Sequence, residues 1–285
     1  MATLRDIRRR IRSVENTQQI TRAMQMVAAA KLHRAQDRVI SSRPYAVAMT
    51  EMLQHLAGAA AELRHPLFQV REASRRTCVV ISSDKGLCGA FNTNVFRHAE
   101  LNVSAALQAA IDLIPMGKRA CAYFGKRGWA CSYRDPDLGD QASESKAQAL
   151  AQHLTGLYER GETDRVDLIY TRFLTMGSRT VMQETLLPVT PGAPGVASPS
   201  EYIFEPNAEA LFSNLLPRYV EMRVFTAFAN SLASEHSARL VSMTAATKNA
   251  GGMITTLTLI RNKLRQAAIT KEMLEVVSGA EALRG

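Results

Sequence analysis

Three blocks with different hydrophobic periods follow one another along the chain. In residues 3–57, Leu4, Ile7, Ile11 and Val14 recur at three- and four-residue steps. The stripe then drifts to Ile20, Met24 and Val27 and resumes as Leu32, Ala35, Val39, Ala46, Met49, Leu53 and Leu56, with Ser42 as one polar position. This predicts a helix with a narrow apolar seam, the pattern of a coiled-coil strand. Pro44 is expected to kink or break it near Ser42–Arg43, because proline lacks the N–H and disfavours helical backbone in the residue before it. The last block, residues 207–285, carries a longer alternation: Met222, Phe225, Ala229, Leu232, His236, Arg239, Met243, Ala246, Ala250, Met253, Leu257, Ile260, Leu264 and Ala267. Only His236 and Arg239 interrupt it, and so sustained a heptad predicts a coiled coil. Helices over Thr3–Ser41 and Arg218–Ser278 would run roughly 60 Å and 90 Å.

The middle block, residues 75–190, changes period. Thr77–Ser83 is a short, nearly continuous apolar run, as in a strand buried on both faces of a parallel sheet. The turn Asp84-Lys85-Gly86-Leu87-Cys88-Gly89 follows, then a helix around Thr93–Gln108. Further strands fit Ile111–Pro115 and Val166–Phe173, with helices over Lys118–Arg127 and Ser143–Arg160. Thr180–Val189 fits an added antiparallel strand, and the proline-rich stretch Pro188–Ser200 reads as a linker. Alternating strands and helices predict an α/β layer.

Neither terminal helix can bury its stripe alone. The simplest solution is a long antiparallel coiled coil of the N- and C-terminal helices with an inserted α/β domain on a mostly parallel sheet. The expected domains are 1–57 and 207–285 for the coiled-coil helices and 75–190 for the α/β part. Unequal lengths leave the end of the C-terminal helix projecting, and an exposed apolar stripe there calls for a covering chain.

Charge sharpens this picture. The chain has 285 residues and a formal charge of +9. Residues 1–43 hold ten basic side chains and only three acidic ones, so most of the surplus sits on the first helix. Such a segment suits nucleic acid, anionic lipid or an acidic protein surface, or else forms a solvated helix face. No run approaches 18 apolar residues, which argues against a spanning helix. Aromatic residues are only 6%, as suits long helices better than an all-β sandwich.

Candidate chemistry is sparse. Gly86 and Gly89 follow the first strand, but the spacing of a phosphate-binding GxxxxGK[ST] loop and the GxGxxG fingerprint are both missing. Cys88 beside these glycines has only Lys85 near it in sequence as an activating group. The four cysteines show no CxxC pair and read as reduced, mostly buried thiols. Six histidines form no metal-binding spacing; His236 reads as a polar residue setting helix register. Met24 and Met26 read as core. Two rival functions remain in view: an α/β nucleotide- or thiol-dependent enzyme with helical arms, and a basic coiled-coil nucleic-acid binder. The second is weakened by the lack of any aromatic residue before Tyr45. Polar residues in the last stripe stand out, with Arg239 on the seam and Gln266, Thr270 and Glu272 crowding the projecting end.

Three separated motifs carry a family resemblance. The tail Arg265-Gln-Ala-Ala-Ile-Thr270-Lys-Glu272-Met-Leu-Glu275-Val-Val-Ser-Gly279-Ala280 closely resembles the C-terminal signature of the gamma subunits of F-type ATP synthases. The head from Ile7-Arg8 to Ala28-Ala29, with Asn16-Thr17-Gln18 and Ala23-Met24, agrees, as does Ser83-Asp84-Lys85-Gly86-Leu87-Cys88-Gly89. Arg239…Met243…Ala245-Ala246-Thr247…Asn249-Ala250 is similar to the family's late-helix block. Lys85 stands where the family usually has Arg, Ala90 where it has Gly, and Lys248, Thr255 and Thr256 where acidic residues are common.

The resemblance implies a bacterial chain without a presequence and without the regulatory cysteine segment of chloroplast relatives. It implies a non-catalytic central-stalk subunit, one copy per complex, with no cofactor, no metal and no nucleic acid. Its partners would be a ring of three alpha and three beta subunits, the epsilon subunit and the membrane c-ring. Ion flow would turn ring and stalk together on the cytoplasmic face of the inner membrane. Met24, Arg239, Gln266, Thr270 and Glu272 occupy positions that face the catalytic subunits in the family. The basic first helix would meet acidic loops of the beta subunits.

Overall fold

The computed structural model describes residues 3–60, 65–72, 74–102, 111–139, 143–190 and 208–282, with helix side chains described up to Gln54 and again from Leu211. In chain order the elements are α1 (Leu4–Ala60), β1 (Arg76–Ile81), α2 (Phe91–Asn102), β2 (Ile111–Met116), α3 (Lys118–Gly125), α4 (Glu144–Glu159), β3 (Arg165–Phe173), β4 (Arg179–Leu187) and α5 (Ala208–Ala282). The residues fall into two compact units. One joins the stretch up to Ala28 with the stretch from Leu240 onward; the other spans Ala29–Arg239.

The larger unit is built on a four-stranded sheet in the order β2-β1-β3-β4, parallel except for the β3–β4 pair. Successive residues of β1 point to opposite layers. Val80 joins Val95, Phe96, Leu113, Phe124 and Ile169 beneath α2 and α3. Val79 and Ile81 join Leu150 and Leu154 of α4, Leu168, and Phe212, Leu216 and Phe228 of α5, with Met49 and Leu53 of α1 in the same cluster. Coverage on both faces is why β1 reads as an unbroken apolar run. The mostly parallel sheet and the antiparallel last strand agree with the sequence. The linker beyond Thr190, the seam residue Leu56 and the end of the helix expected over Thr93–Gln108 lie outside the described residues.

At the start of the sheet, the fully buried Asp167 accepts from Arg76 (2.9 Å), Arg165 (2.9 Å) and the Thr185 hydroxyl (3.0 Å), so its charge is compensated from three strands. Burial, reinforced by Asp167, pushes the nearby Cys78 thiol up to about 11.

The smaller unit is a helix pair. Gln18 reaches the carbonyl of Thr247 (3.5 Å) and lies against Gly251, and Thr247 donates to the Thr21 hydroxyl (2.9 Å). Rising numbers in α1 meet falling numbers in α5, so the pair is antiparallel. The seam differs from the one read off hydrophobicity. Ile20 (60% exposed) and Val27 (55%) face outward, as does Met26. An unbroken heptad instead runs Ile7, Ile11, Val14, Gln18, Thr21, Gln25, Ala28, none of them exposed. Gln18 and Thr21 hold seam positions because they bond across the pair. In α5, Met253 and Ile260 are exposed, while Ile254 and Arg261 next to them are half-buried.

Neither proline breaks its helix. α1 continues through Pro44, and α5 begins ten residues before Arg218 and passes through Pro217. Pro44 leaves the carbonyl of Ile40 without its helical donor; both residues are exposed, so water satisfies that oxygen.

Two outcomes test these assignments. Gly117 holds φ +89, and an added Cβ would lie 2.6 Å from the Ser82 carbonyl oxygen. Gly117→Ala is therefore expected to lower the unfolding free energy by about 3 kcal/mol, against about 1 kcal/mol for Gly128→Ala, whose surroundings are open; urea unfolding measures both. Between pH 9 and 11 the unfolded Cys78 thiol ionises while the folded one stays protonated. Stability should thus fall with rising pH across that window, and the slope should flatten in Cys78→Ala.

Candidate functional site: the sheet crevice and its helix

A doubly wound sheet offers one natural ligand position, the crevice beyond the C-terminal ends of the strands where the strand order reverses. Here β1 leads through α2 to β2, and the chain then crosses to β3 on the far side of β1, so the crevice lies between β1 and β3. It is filled by α5. The Ser234 hydroxyl donates to the carbonyl of Thr171 (3.1 Å) and the Ser237 hydroxyl to that of Met176 (2.5 Å). The Asn230 side-chain oxygen accepts from the Phe173 N–H (3.4 Å). On the β1 side, Arg239 donates to the carbonyls of Gly86 (3.1 Å from Nη2) and Lys85 (3.3 Å), and Ala238 packs on Cys88 and Phe91.

Every residue from Ala227 to Arg239 is buried, so this part of α5 is enclosed on all sides rather than along a seam. Its sequence, Ala-Phe-Ala-Asn-Ser-Leu-Ala-Ser-Glu-His-Ser-Ala-Arg, is rich in small residues that let strand ends and loops approach closely. Polar side chains shut in this way are mostly bonded, the Ser231 hydroxyl being an exception. Glu235 forms the matching ion pair with Arg239 at 2.6 Å, and His236 lies 3.3 Å from the other end of the guanidinium.

The first turn of α3 is also occupied by the chain itself. Its N–H groups at Lys118, Arg119 and Ala120 go to the Asp84 carboxylate (3.0 Å), the Ser83 carbonyl (3.1 Å) and the Ser82 hydroxyl (2.8 Å). An open crevice and free helix N–H groups are what a phosphate-binding site uses; both are filled here by the protein's own groups. Cys88 is not an activated nucleophile either. Burial pushes its thiol up, and the Asn92 amide donates to the sulfur at 3.3 Å.

The turn over the crevice is strained. Leu87 has φ +61, a left-handed conformation that a bulky residue rarely adopts, and its side chain is 62% exposed. Ser83 and Asn92 brace the turn from below: the Ser83 hydroxyl donates to the Lys85 carbonyl (2.7 Å) and Asn92 receives the Ser83 N–H (3.1 Å).

Comparison with known proteins agrees with this arrangement. The family model described as ATP synthase matches residues 3–283. The chain is 44% identical to the ATP synthase gamma chain of Desulforamulus reducens over 284 residues, 99% of this chain and 100% of that one. It is 40% identical to the ATP synthase gamma chain of Protochlamydia amoebophila over 285 residues, covering 100% of both. The chain belongs to the ATP synthase gamma-chain family. Its fold is shared with a chain of the Euglena gracilis mitochondrial ATP synthase solved as OSCP/F1/c-ring (TM-score 0.69, 18% identity, 98% of this chain and 94% of that one). It is shared too with one from the central stalk/c-ring of the Tetrahymena thermophila enzyme (TM-score 0.61, 24% identity, 80% of this chain and 99% of that one).

The five positions singled out by the resemblance fall in both units. In the smaller unit Met24 is half-buried, and Gln266, Thr270 and Glu272 lie in the run Arg265–Ala282, all of it exposed. Gln266 and Thr270 share a face one turn apart, joined by the bond from the Thr270 hydroxyl to the Gln266 carbonyl (3.0 Å). Arg239 belongs to the other unit, where it is 8% exposed and bonded within the chain. Hydrophobic patterning marked His236 and Arg239 as polar intrusions but missed Asn230, Ser234, Glu235 and Ser237. The available signal was the density of small and polar residues over Asn230–Arg239, too polar for a two-helix seam and too small for a surface helix.

Removing one partner from a buried pair strands the other charge. Arg239→Ala is expected to cost about 3 kcal/mol of stability, and Ser234→Ala about 1 kcal/mol, both read by urea unfolding of the full chain.

Proposed function

We propose that this chain is the central-stalk subunit of a bacterial F-type ATP synthase, present once per complex and non-catalytic by itself. It turns within a hexamer of alpha and beta subunits and couples proton (or sodium) flow to ATP synthesis or hydrolysis on the beta subunits, whose ATPase activity it helps regulate. The α/β part, residues 75–190, works as the foot near the epsilon subunit and the c-ring. The complex places it peripherally on the cytoplasmic face of the inner membrane; among the described residues no helix is long and apolar enough to cross a membrane.

The observation that carries this reading is the family match over residues 3–283 together with the exposed run Arg265–Ala282, whose sequence resembles the family's C-terminal signature. Ile269, Met273, Leu274, Val276 and Val277 are at least half exposed there, as suits a segment that completes its packing inside a larger assembly. Met24, Gln266, Thr270 and Glu272 contact the alpha and beta subunits directly, and Arg239 belongs to the same working set. Three chemically identical beta subunits can be driven through different states only if each meets a different face of the stalk at a given moment, because equal contacts shift all three equilibria equally. The basic face of α1, with Arg5, Arg8, Arg9, Arg10 and Arg12, supplies long-range attraction to acidic loops. Exposed charge pairs are individually weak, which allows the surfaces to slide.

Deleting Gln266–Gly285 should leave the α/β part folded while proton-driven ATP synthesis by membranes carrying the assembled complex falls several-fold. Undiminished synthesis by that truncation would remove the tail from the coupling role.

A further inference from the structure

Arg239 and Leu87 form one device. Leu87 keeps a left-handed backbone and an exposed apolar side chain, a combination that relaxes unless its surroundings hold it. The peptide immediately before it, Gly86–Leu87, presents its carbonyl to Arg239, which donates from both Nη2 (3.1 Å) and Nε (3.4 Å). The carbonyl of the preceding peptide, Lys85–Gly86, takes a third bond from Nη2 (3.3 Å). One planar guanidinium therefore fixes two successive peptide planes, and with them the backbone angles of Gly86 and the orientation of the peptide that leads into Leu87. Glu235, at 2.6 Å and 9% side-chain exposure, fixes the guanidinium in turn. On the other side the Arg119 guanidinium sits where a Cβ on Gly86 would fall (2.7 Å), leaving that peptide little room to turn over.

We propose that Arg239, oriented by Glu235, is a positioning residue: it acts on coupling by locking the Lys85–Leu87 peptides so that Leu87 is held out as a contact, rather than by touching a partner subunit itself. This rests on the central-stalk reading, and it assigns Arg239 a route by which a buried side chain reaches that function. Lysine cannot replace it fully, because an ammonium lacks the rigid fork that spans two carbonyls.

Cys88 reports the state of the turn. Its sulfur is buried directly after Leu87 and held by Asn92, whereas Cys78 is equally buried within β1. The experiment is alkylation of the full chain by iodoacetamide, read site by site by mass spectrometry, in wild type, Arg239→Gln, Arg239→Lys and Glu235→Gln. Loss of bonds to a charged donor should raise the Cys88 rate about tenfold or more in Arg239→Gln and less in Arg239→Lys, with Cys78 unchanged. An unchanged Cys88 rate, or an equal rise at Cys78, overturns the lock. The assembled complex supplies the second arm, the ratio of proton pumping to ATP hydrolysis in Arg239→Gln, Leu87→Ala and the double variant. The two losses should be non-additive, the double variant matching the more severe single one; full additivity overturns the proposed route. The alkylation arm does not depend on the central-stalk reading, so a failure of that reading appears only in the second arm.

Discussion

A helix enclosed on every side has no solvent to satisfy it, and that constraint organises the larger unit. Over Ala227–Arg239 most polar side chains are aimed at a backbone group or an opposite charge: Ser234 and Ser237 at carbonyls in and just after the end of β3, Asn230 at the N–H of its last residue, Arg239 at carbonyls after β1; the buried Ser231 hydroxyl is the exception. These bonds join α5 to loops from two different strands. A purely apolar helix could fill the same space but could slide or rotate at small cost, since dispersion contacts are non-directional. Directional bonds fix both the axial position and the rotation of the helix against the sheet. In a subunit proposed to transmit rotation, that fixity is the property required.

The same packing explains why a nucleotide-type fold carries no nucleotide-type chemistry. The sheet topology creates a crevice between β1 and β3, and the first turn of α3 provides N–H groups suited to an anion. Asp84 fills the second role from within, also taking the N–H groups of Leu138 (3.1 Å) and Gly139 (2.9 Å). The chain's own carboxylate thus stands where a phosphate would, and its own helix where a base and ribose would. The glycines of the β1–α2 turn serve close packing and a strained turn instead of phosphate wrapping.

Much of this was legible in the residues. The period change from helix to strand located each described strand within a residue or two, because β1 and β3 are covered on both faces and, Arg172 apart, have no solvent-facing positions to blur them. The long terminal helices were legible from Ile7, Ile11, Leu32 and Ala35 at one end and Met243, Ala250 and Leu257 at the other. What was not legible were positions where polarity and burial coincide. Gln18, Thr21 and Thr247 occupy the seam because they bond across it, while apolar Ile20, Val27 and Met253 face outward. A pattern rule that equates buried with apolar must shift its frame there. Pro44 does not break its helix for a related reason. The cost of a missing N–H is set by whether water can reach the orphaned carbonyl, which a sequence does not state. The role of Arg239 was half legible: its intrusion into the stripe was visible, its partners were not, since Gly86 lies more than 150 residues away and carries no side chain to signal the contact.

The exposed run Arg265–Ala282 raises the question of what keeps it helical with nothing packed along it. An isolated peptide of that length is marginal in water, because fixing the first turn costs several dihedral angles for one hydrogen bond. Within α5 that nucleation is already supplied: the helix is continuous from Ala208, its Ala227–Arg239 stretch is locked by side-chain bonds, and Thr247 and Gly251 meet Gln18 and Thr21 of α1. Propagation then adds one bond per residue, and the Lys271–Glu275 pair (3.6 Å) adds a few tenths of a kcal/mol. The tail can therefore hold a defined surface without burying it. This frees its side chains, apolar Ile269 and Val276 as well as polar Gln266 and Glu272, to be chosen for what they meet outside the chain rather than for what holds the chain together.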